Sequence, residues 1–579
     1  MRKSLVALDT YHIKEYVFAT DKLKEIRGAS SLLDRLNREE MKNIAARIGK
    51  EFIDPIYMNG GSGLFVVYSD KAELFCQNVR QEYGELTGGG ASITYAIVDL
   101  PESKSDNVRK ADLKDELELL RYYLRKNKNS PLDKMLLPSH PFMHPCDACG
   151  ILYAEKRDRT GDQDPDELDR FYCTSCLKKR VEDSKVKKRI PDVLGLIKRK
   201  EDLPDEYLWD RILCHLNKVE YDILPGTKRP NDFNEFRLFS ESKEYLGLIY
   251  ADGNGMGQKL DDLGELPIIQ NFAKNVDDAI YEAMSIAIKR HLPILPVDEG
   301  APFFPFDILL IGGDDIVMVT DAAKAMDVAL TIANEFHRLT KEKDSEGKGH
   351  TLSVGVVLAP VKYPFRLLRK LAESTLKAAK KAGALAREEA KATNKTNIDD
   401  TRINFMTVTG STSQDFDKVY KSLCPEGVKV NGQIETEEAD LYATLRPYDP
   451  MQLNKLLMLI REGHNKALGR TKLHQLREAV LKMNLSTSVG EGLAMLRNWR
   501  DDQRDYVLQQ VYALGGLFRV QQGNLEDPSS YSFRVTFPWF SDGKAMDDKK
   551  RNIYRTPLLD FVELYDFVSR EGIESSDEY

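Results

Sequence analysis

Two patterns of hydrophobic and polar positions alternate along the chain. Short apolar runs closed by glycine or aspartate read as strands, and longer stretches with an apolar residue every three or four positions read as helices. LGLIYAD (246–252) is a strand-like run ending in an aspartate, followed by the glycine-rich GNGMGQKL and a helical pattern around NFAKNVDDAIYEAMSIAIKRHL. DILLIGGDDIVMVT (307–320) reads as a hairpin with a glycine-aspartate tip, and DAAKAMDVALTIANEFHRLTK as an amphipathic helix beginning near Asp321. TLSVGVVLAP (351–360) is a further strand, YPFRLLRKLAESTLKAAKKAGALA (363–386) a further helix, and 388–402 a polar loop before a last strand, INFMTV. The order β-α-β-β-α-β-α predicts a ferredoxin-like sheet backed by helices on one side, an α/β (α+β) fold.

The same order recurs near the N-terminus. SLVALD (4–9) is a strand ending in Asp9, YMNGGSGLFVVYSD (57–70) a glycine hairpin and ASITYAIVDL (91–100) a strand. Gly60-Gly61 and Gly312-Gly313 lie 252 residues apart and the strands after them 260 apart, which indicates an internal duplication. Where the second copy has Asp314 and Asp315 the first has Ser62 and Gly63, so the first is read as having lost its carboxylates. From about 445 onward MQLNKLLMLIREG, KLHQLREAVLKM and RDYVLQQVYALGGLF read as a helical bundle whose exposed faces offer a dock for a small partner subunit. The acidic tail EGIESSDEY reads as disordered.

Composition narrows the class. With 579 residues, 42% hydrophobic and 30% charged, this is a chain of several globular domains. No apolar stretch approaches the length of a membrane span, and the only apolar run near the start, LVAL, is too short for a signal-peptide core, so a cytoplasmic protein without a membrane partner is expected. The net charge of −8 argues against wrapping nucleic acid over the whole surface and leaves room for local basic patches, such as 178–200 with ten Lys and Arg against three acids. A solvated helix face accounts for that stretch equally well.

Two groups of residues carry chemistry. Cys146 and Cys149 (CDAC) and Cys173 and Cys176 (CTSC), with 23 residues between the pairs, have the spacing of a structural zinc ribbon: two tight turns supply four thiolates and close a tetrahedral sphere. Cys76, Cys214 and Cys424 stand alone and read as packing positions. Asp314 and Asp315 at the hairpin tip, beside the strand that ends in Asp252, bring three carboxylates to one sheet edge, where Mg2+ or Mn2+ offsets their repulsion and joins them to phosphate. Gly312 and Gly313, and Gly255 and Gly257 in the GNGMG turn, leave backbone room for a triphosphate. Ser353, Lys377, Lys380 and Lys381 are further candidates beside it. A glycine-aspartate turn alone is also a common structural hairpin, and it is the strand order around it that favours chemistry.

The combination IKEYVFATDKLKEIRGASSLLDRL (13–36), the four-cysteine module, YADGNGMG and IGGDD resembles the large polymerase-like subunit of type III CRISPR effector complexes over most of the chain. The resemblance implies two ferredoxin-like palm domains related to nucleotidyl cyclases (1–130 and 241–412), a zinc module at 131–195, a helical linker at 196–240 and a C-terminal helical domain at 413–579. It implies synthesis of cyclic oligoadenylate from ATP, switched on by target RNA bound to a guide RNA within a complex of further subunits. Asp252, Asp314 and Asp315 are then the magnesium-binding residues, and Gly28, Ala29 and Ser30 lie near the acceptor nucleotide. The chain departs from the family in two respects. No His-Asp dipeptide is present, so an HD-type DNase is not expected, and Asn254 stands where the family often has a second aspartate, which bears on whether the product is a ring or AMP joined to another small molecule. A free-standing GGDEF or class III cyclase and a catalytically silent ribonucleoprotein scaffold are the competing readings.

Overall fold

A computed structural model describes residues 2–129, 142–157, 170–238, 244–295, 301–344, 347–393, 399–408, 410, 415–431, 436–511, 514, 537–544 and 551–570. The 571–579 tail lies outside them.

The first palm comprises β1 (Lys3–Tyr11), α1 (Ile13–Val17), α2 (Leu23–Arg35), α3 (Met41–Ile48), β2 (Ile53–Asn59), β3 (Ser62–Tyr68), α4 (Ser69–Thr87), β4 (Ser92–Asp99), α5 (Glu102–Ser105) and α6 (Lys114–Lys128). Its sheet order, β2-β3-β1-β4, is that of a ferredoxin-like fold. The short pair β5 (Lys156–Arg157) and β6 (Phe171–Tyr172) belongs to the cysteine module, and α7 (Thr174–Arg199) and α8 (Leu208–Lys218) lead to the second palm.

The second palm repeats the plan with β7 (Tyr245–Gly253), α9 (Met256–Asp262), α10 (Leu266–His291), β8 (Phe306–Gly312), β9 (Asp315–Asp321), α11 (Ala322–Lys343), β10 (Leu352–Pro360), α12 (Phe365–Ala392) and β11 (Arg402–Thr407). Its order is β11-β10-β7-β9-β8. Asp321 caps α11 by accepting from the Ala323 amide, where the sequence places the helix start. The last helix runs further than its sequence pattern suggests: REEA, read as loop, forms the final turns of α12.

This sheet is covered on both faces, not one. Ile249, Met318 and Val354 pack against α10 and α11, while Leu248, Val317 and Val357 share a core with α12 and with α2 of the first palm. Burial on both sides is why these strands read as unbroken aliphatic runs. In the C-terminal region α13 (Phe416–Leu423) was not foreseen, while MQLNKLLMLIREG and KLHQLREAVLKM form α14 (Pro450–Asn465) and α15 (Arg470–Leu481); RDYVLQQVYALGGLF is helical to Val511, and 512–513 and 515–518 lie outside the described residues. The region also contains a four-stranded sheet not foreseen from the sequence: β12 (Val428–Asn431), β13 (Thr436–Tyr442), β14 (Phe540–Lys544) and β15 (Asn552–Arg555), ordered β12-β13-β15-β14.

Strand register corrects the alignment of the two halves. Asp9 pairs with Ser62 across β1 and β3, and Ala251 with Ile316 across β7 and β9, so Asp252 falls beside Asp315 one step further on. Matching Asp9 with Asp252 then matches Ser62 with Asp315 and Gly61 with Asp314, one residue off the Gly-Gly alignment. The first palm has therefore lost two of the three carboxylates and kept Asp9, which is paired with Lys128 on α6.

Candidate active site between the palms

The β8–β9 hairpin closes with Gly312 opposite Asp315, leaving Gly313 and Asp314 as a two-residue loop. Gly313 has φ +62°, a conformation in which a side chain is strained. Asp252, one residue before the end of the central strand β7, lies next to this tip. Gly253 is required there, because a Cβ on it would collide with the Asp314 side chain. This contact joins the strand-ending carboxylate to the hairpin, and Gly253 escaped the sequence reading because nothing in a lone DG reports what lies opposite.

The tip does not project freely into solvent. It packs against the equivalent hairpin of the first palm, where Gly60 meets Gly312 and Gly313. Both aspartates are half-buried in consequence. Burial and the charge of Asp252 raise the Asp314 carboxyl above its ordinary range, and the same two causes push Asp315 up to about 8 despite Lys14. Asp315 Oδ1 is buried without a hydrogen-bond partner among the described residues.

Two lysines answer this negative charge. Lys380 Nζ, on α12, lies 2.5 Å from Asp252 Oδ2. Lys14, contributed by α1 of the first palm, lies 3.7 Å from Asp315 Oδ2 and 4.9 Å from the centre of the Tyr250 ring. Burial opposes the Lys14 charge, but Asp315 and Tyr250 outweigh it and raise its pKa. Lys14 is a site residue that sequence reasoning missed, since it sits in the other palm.

The remaining candidates divide. Gly255, at φ +68°, starts α9 with Arg387 Nη1 over it, whereas Gly257 has open space around its Cα. Lys377 and Lys381 are exposed on α12. Ser353 is fully buried and donates to Asn254 Oδ1 at 2.7 Å, so it turns inward and not toward a nucleotide. Asn254 is itself a structural residue: its amide donates to Thr351 Oγ1 and to the Asp400 carbonyl, both at 3.2 Å. Gly28 lets α2 approach the Lys179 carbonyl of α7, and Ala29 is core, so neither reaches the cleft. Ser30 alone of that trio lines the small cavity shared with Lys14, Gly60 and Asp315.

The four cysteines come together as their spacing predicts. Among the described residues Cys146, Cys149, Cys173 and Cys176 are all buried, with sulfurs within 4.8 Å of one another. Cys173 caps α7, its sulfur accepting from the Cys176 amide at 3.4 Å. The thiols shift one another in opposite directions, Cys146 down and Cys173 and Cys176 up, because four sulfurs this close do not all ionise without a cation to share. Among the described residues no other cluster of His, Cys, Asp or Glu, the palm carboxylates included, brings its ligand atoms this close together. Arg366 at the start of α12 donates to the carbonyls of Ala19, Ala148 and Cys149, tying the cysteine module to both palms. The basic stretch is neutralised only in part: Arg180 pairs with Glu25, Lys187 with Asp183, Arg189 with Glu206 and Arg199 with Glu201, while Lys185, Lys188, Lys198 and Lys200 are exposed.

Residues 245–388 match the family model of the Cas10/Cmr2 second palm domain. No curated protein matches the chain in sequence. Similar solved structures include a Csm1-Csm4 cassette in complex with one ATP (13% identity, 98% of this chain and 70% of that chain, TM-score 0.45). Others are the cassette in complex with pppApApA (14%, 86% and 64%, 0.44) and with cA3 (15%, 69% and 54%, 0.41). The chain thus spans about half the length, 54%, of the chain it matches in the cA3 complex.

Proposed function

We propose that this chain, a Cas10-like protein with a Cas10/Cmr2 second palm at 245–388, is a nucleotidyltransferase that converts ATP to a cyclic oligoadenylate or a related adenylyl messenger. In this reading it works within a type III CRISPR complex of further subunits, guide RNA and target RNA, and target binding switches it on. The observation that carries the proposal is the placement of Asp252, Asp314 and Asp315 at the edge of that palm, with Asp315 raised to about 8 and one of its oxygens unsatisfied.

Such carboxylates suit a hard divalent cation, so Asp252, Asp314 and Asp315 would hold Mg2+ or Mn2+. An ion bound there would supply the positive charge that lowers the pKa of an attacking hydroxyl and offsets the charge of a leaving pyrophosphate. The chain's own groups do the rest. Lys380, paired with Asp252, is placed to meet phosphate charge beside the carboxylates, and Lys14 restrains Asp315 from the first palm. The Gly253–Gly255 turn is held beside the carboxylates, its Asn254 amide donating to the Thr351 carbonyl and a Gly253 backbone hydrogen bond reaching Asp314. The facing glycine hairpins shut out solvent from one side, which strengthens every charge interaction at the tip. A structural Zn2+ in the four-cysteine cage would hold the module against both palms.

The test is turnover of labelled ATP with magnesium, by the protein alone and with its co-purifying partners, guide RNA and complementary target RNA, with products identified by mass spectrometry. Cyclic or linked adenylates that require target RNA and vanish in Asp314→Ala/Asp315→Ala support the reading. Product without RNA points to a free-standing cyclase. An assembled complex without product from any nucleotide points to a scaffold.

A further inference from the structure

A cavity of about 490 Å³ lies between α7 and the 221–231 segment, away from the palm carboxylates. Its volume is in the range of small-molecule sites. Ile190, Leu194, Ile223 and Leu224 give it apolar walls, and its only charged lining residues are Lys187, Lys198, Lys228 and Arg229. An apolar chamber lined by four cations and no acid, among the described residues, is matched to an anion.

The charge count beneath it points the same way. Arg229 is 6% exposed, donates to Asp307 Oδ1 at 2.5 Å and stacks over Trp209 at 3.9 Å. Arg27 donates to Asp307 Oδ2 at 2.9 Å and to Asp183 Oδ2 at 3.0 Å. Lys187 completes the cluster, 3.6 Å from Asp183 and 2.9 Å from Asn231 Oδ1. Three cations therefore face two carboxylates in a region closed to water on most sides, and Arg229 Nε is buried with no hydrogen-bond partner among the described residues. Burying a surplus charge is costly unless a counter-charge arrives. Burial is the first cause that lowers Lys187, to about 8, and Arg27, Lys24 and Arg229 add to it.

We infer that this cavity is a binding site for a small organic anion with an apolar body, its acidic group held by Lys187 and Arg229 and its body by Ile190, Leu194, Ile223 and Leu224. Arg229 also grips Asp307 on β8, the strand that ends at the Gly312 tip, so the occupant touches a residue in direct contact with the catalytic hairpin's own strand. The inference stands apart from the proposed nucleotidyl transfer, and its test reads binding alone.

The full-length protein is titrated with the fluorescent anion 8-anilinonaphthalene-1-sulfonate and, in parallel, with its uncharged counterpart N-phenyl-1-naphthylamine. Expected is one anion site per chain, weakened at least tenfold by Lys187→Met with the neutral probe unaffected, and both probes displaced by Leu194→Trp, which fills the chamber. Inorganic phosphate without an apolar body does not compete. Lys187→Met removes the surplus cation and is expected to melt no lower than the parent, so it decides the matter even where Leu194→Trp fails to fold. Unchanged anion binding in Lys187→Met, or equal affinity of the parent for the two probes, overturns the inference.

Discussion

Gly312 lies so close to Gly60 that a Cβ added to it would meet the Gly60 Cα at 2.9 Å. The hairpin that carries the carboxylates is thus held by the backbone of the other palm, and its position is a property of the interface.

Gly312→Ala is expected to displace that hairpin. The obstacle is backbone and cannot rotate aside, so overpacking costs about 1–3 kcal/mol. Nucleotide turnover is expected to fall at least about tenfold, since small displacements of reacting groups are expensive. Gly257→Ala is the control: nothing lies within 4 Å of its Cβ position, and its melt is expected to match the parent or exceed it slightly. Thermal melts and turnover of the two variants side by side check this.

Asp315 gives stability a pH dependence of known sign. Its folded pKa of about 8 lies above the ordinary 3.8, so the fold keeps a proton that the unfolded chain has released. That preference favours the fold at low pH and is lost as pH rises from about 4 through about 8. Lys14, its pKa raised, stays charged across the window. In magnesium-free buffer Asp315→Asn is expected to match the parent near pH 4 and to melt progressively higher than it toward pH 8, with added magnesium closing the gap. Melting midpoints measured across that range decide it, and a gap that shrinks with pH contradicts the assignment.

Asn254→Asp tests whether that position is structural. The change replaces an amide that donates to Thr351 Oγ1 and the Asp400 carbonyl with a group that only accepts, in a site 4% exposed and close to the Asp400 side chain. A loss of about 2–4 kcal/mol is expected from the unsatisfied acceptors and the buried charge. The loss should be smaller at pH 5 than at pH 8, because protonation restores a donor. Equal stability of the two proteins at both pH values would refute the assignment.

Elemental analysis of the purified protein is expected to find about one zinc per chain, and Cys176→Ser to remove it. The variant is expected to melt about 5 °C lower or more, given that each kcal/mol moves a domain of comparable size by about 2–4 °C. Folded wild-type protein free of zinc contradicts the cage.

The local plan of both palms was legible because strand, glycine hairpin and helix each leave a periodic or compositional trace. The four cysteines were legible because their spacing alone constrains them. What joins distant segments was not. Gly253 beneath Asp314, Lys14 beside Asp315 and Gly60 against Gly312 are contacts between elements far apart in the chain, and no window of sequence contains both partners. The alignment of Gly60-Gly61 with Gly312-Gly313 was misleading for a related reason: identity of residues suggested one register, and hydrogen-bond pairing of Asp9 with Ser62 set another. The bond from Ser353 to Asn254 was not legible either, because a position beside Asp252 does not reveal it. The strands β12 to β15 are short and fall in two pairs far apart in the chain, β12 and β13 before the helices and β14 and β15 after them, so helical periodicity between them dominated.

The retained Asp9 and its Lys128 show what the duplicated half gave up. Two acidic hairpins meeting tip to tip would repel across the seam. Replacing Asp314 by its counterpart Gly61, and Asp315 by Ser62, silences one side and lets the backbones touch. Two halves with both triads intact would have to stand apart. Here the half without the hairpin carboxylates is the surface against which the acidic one is set.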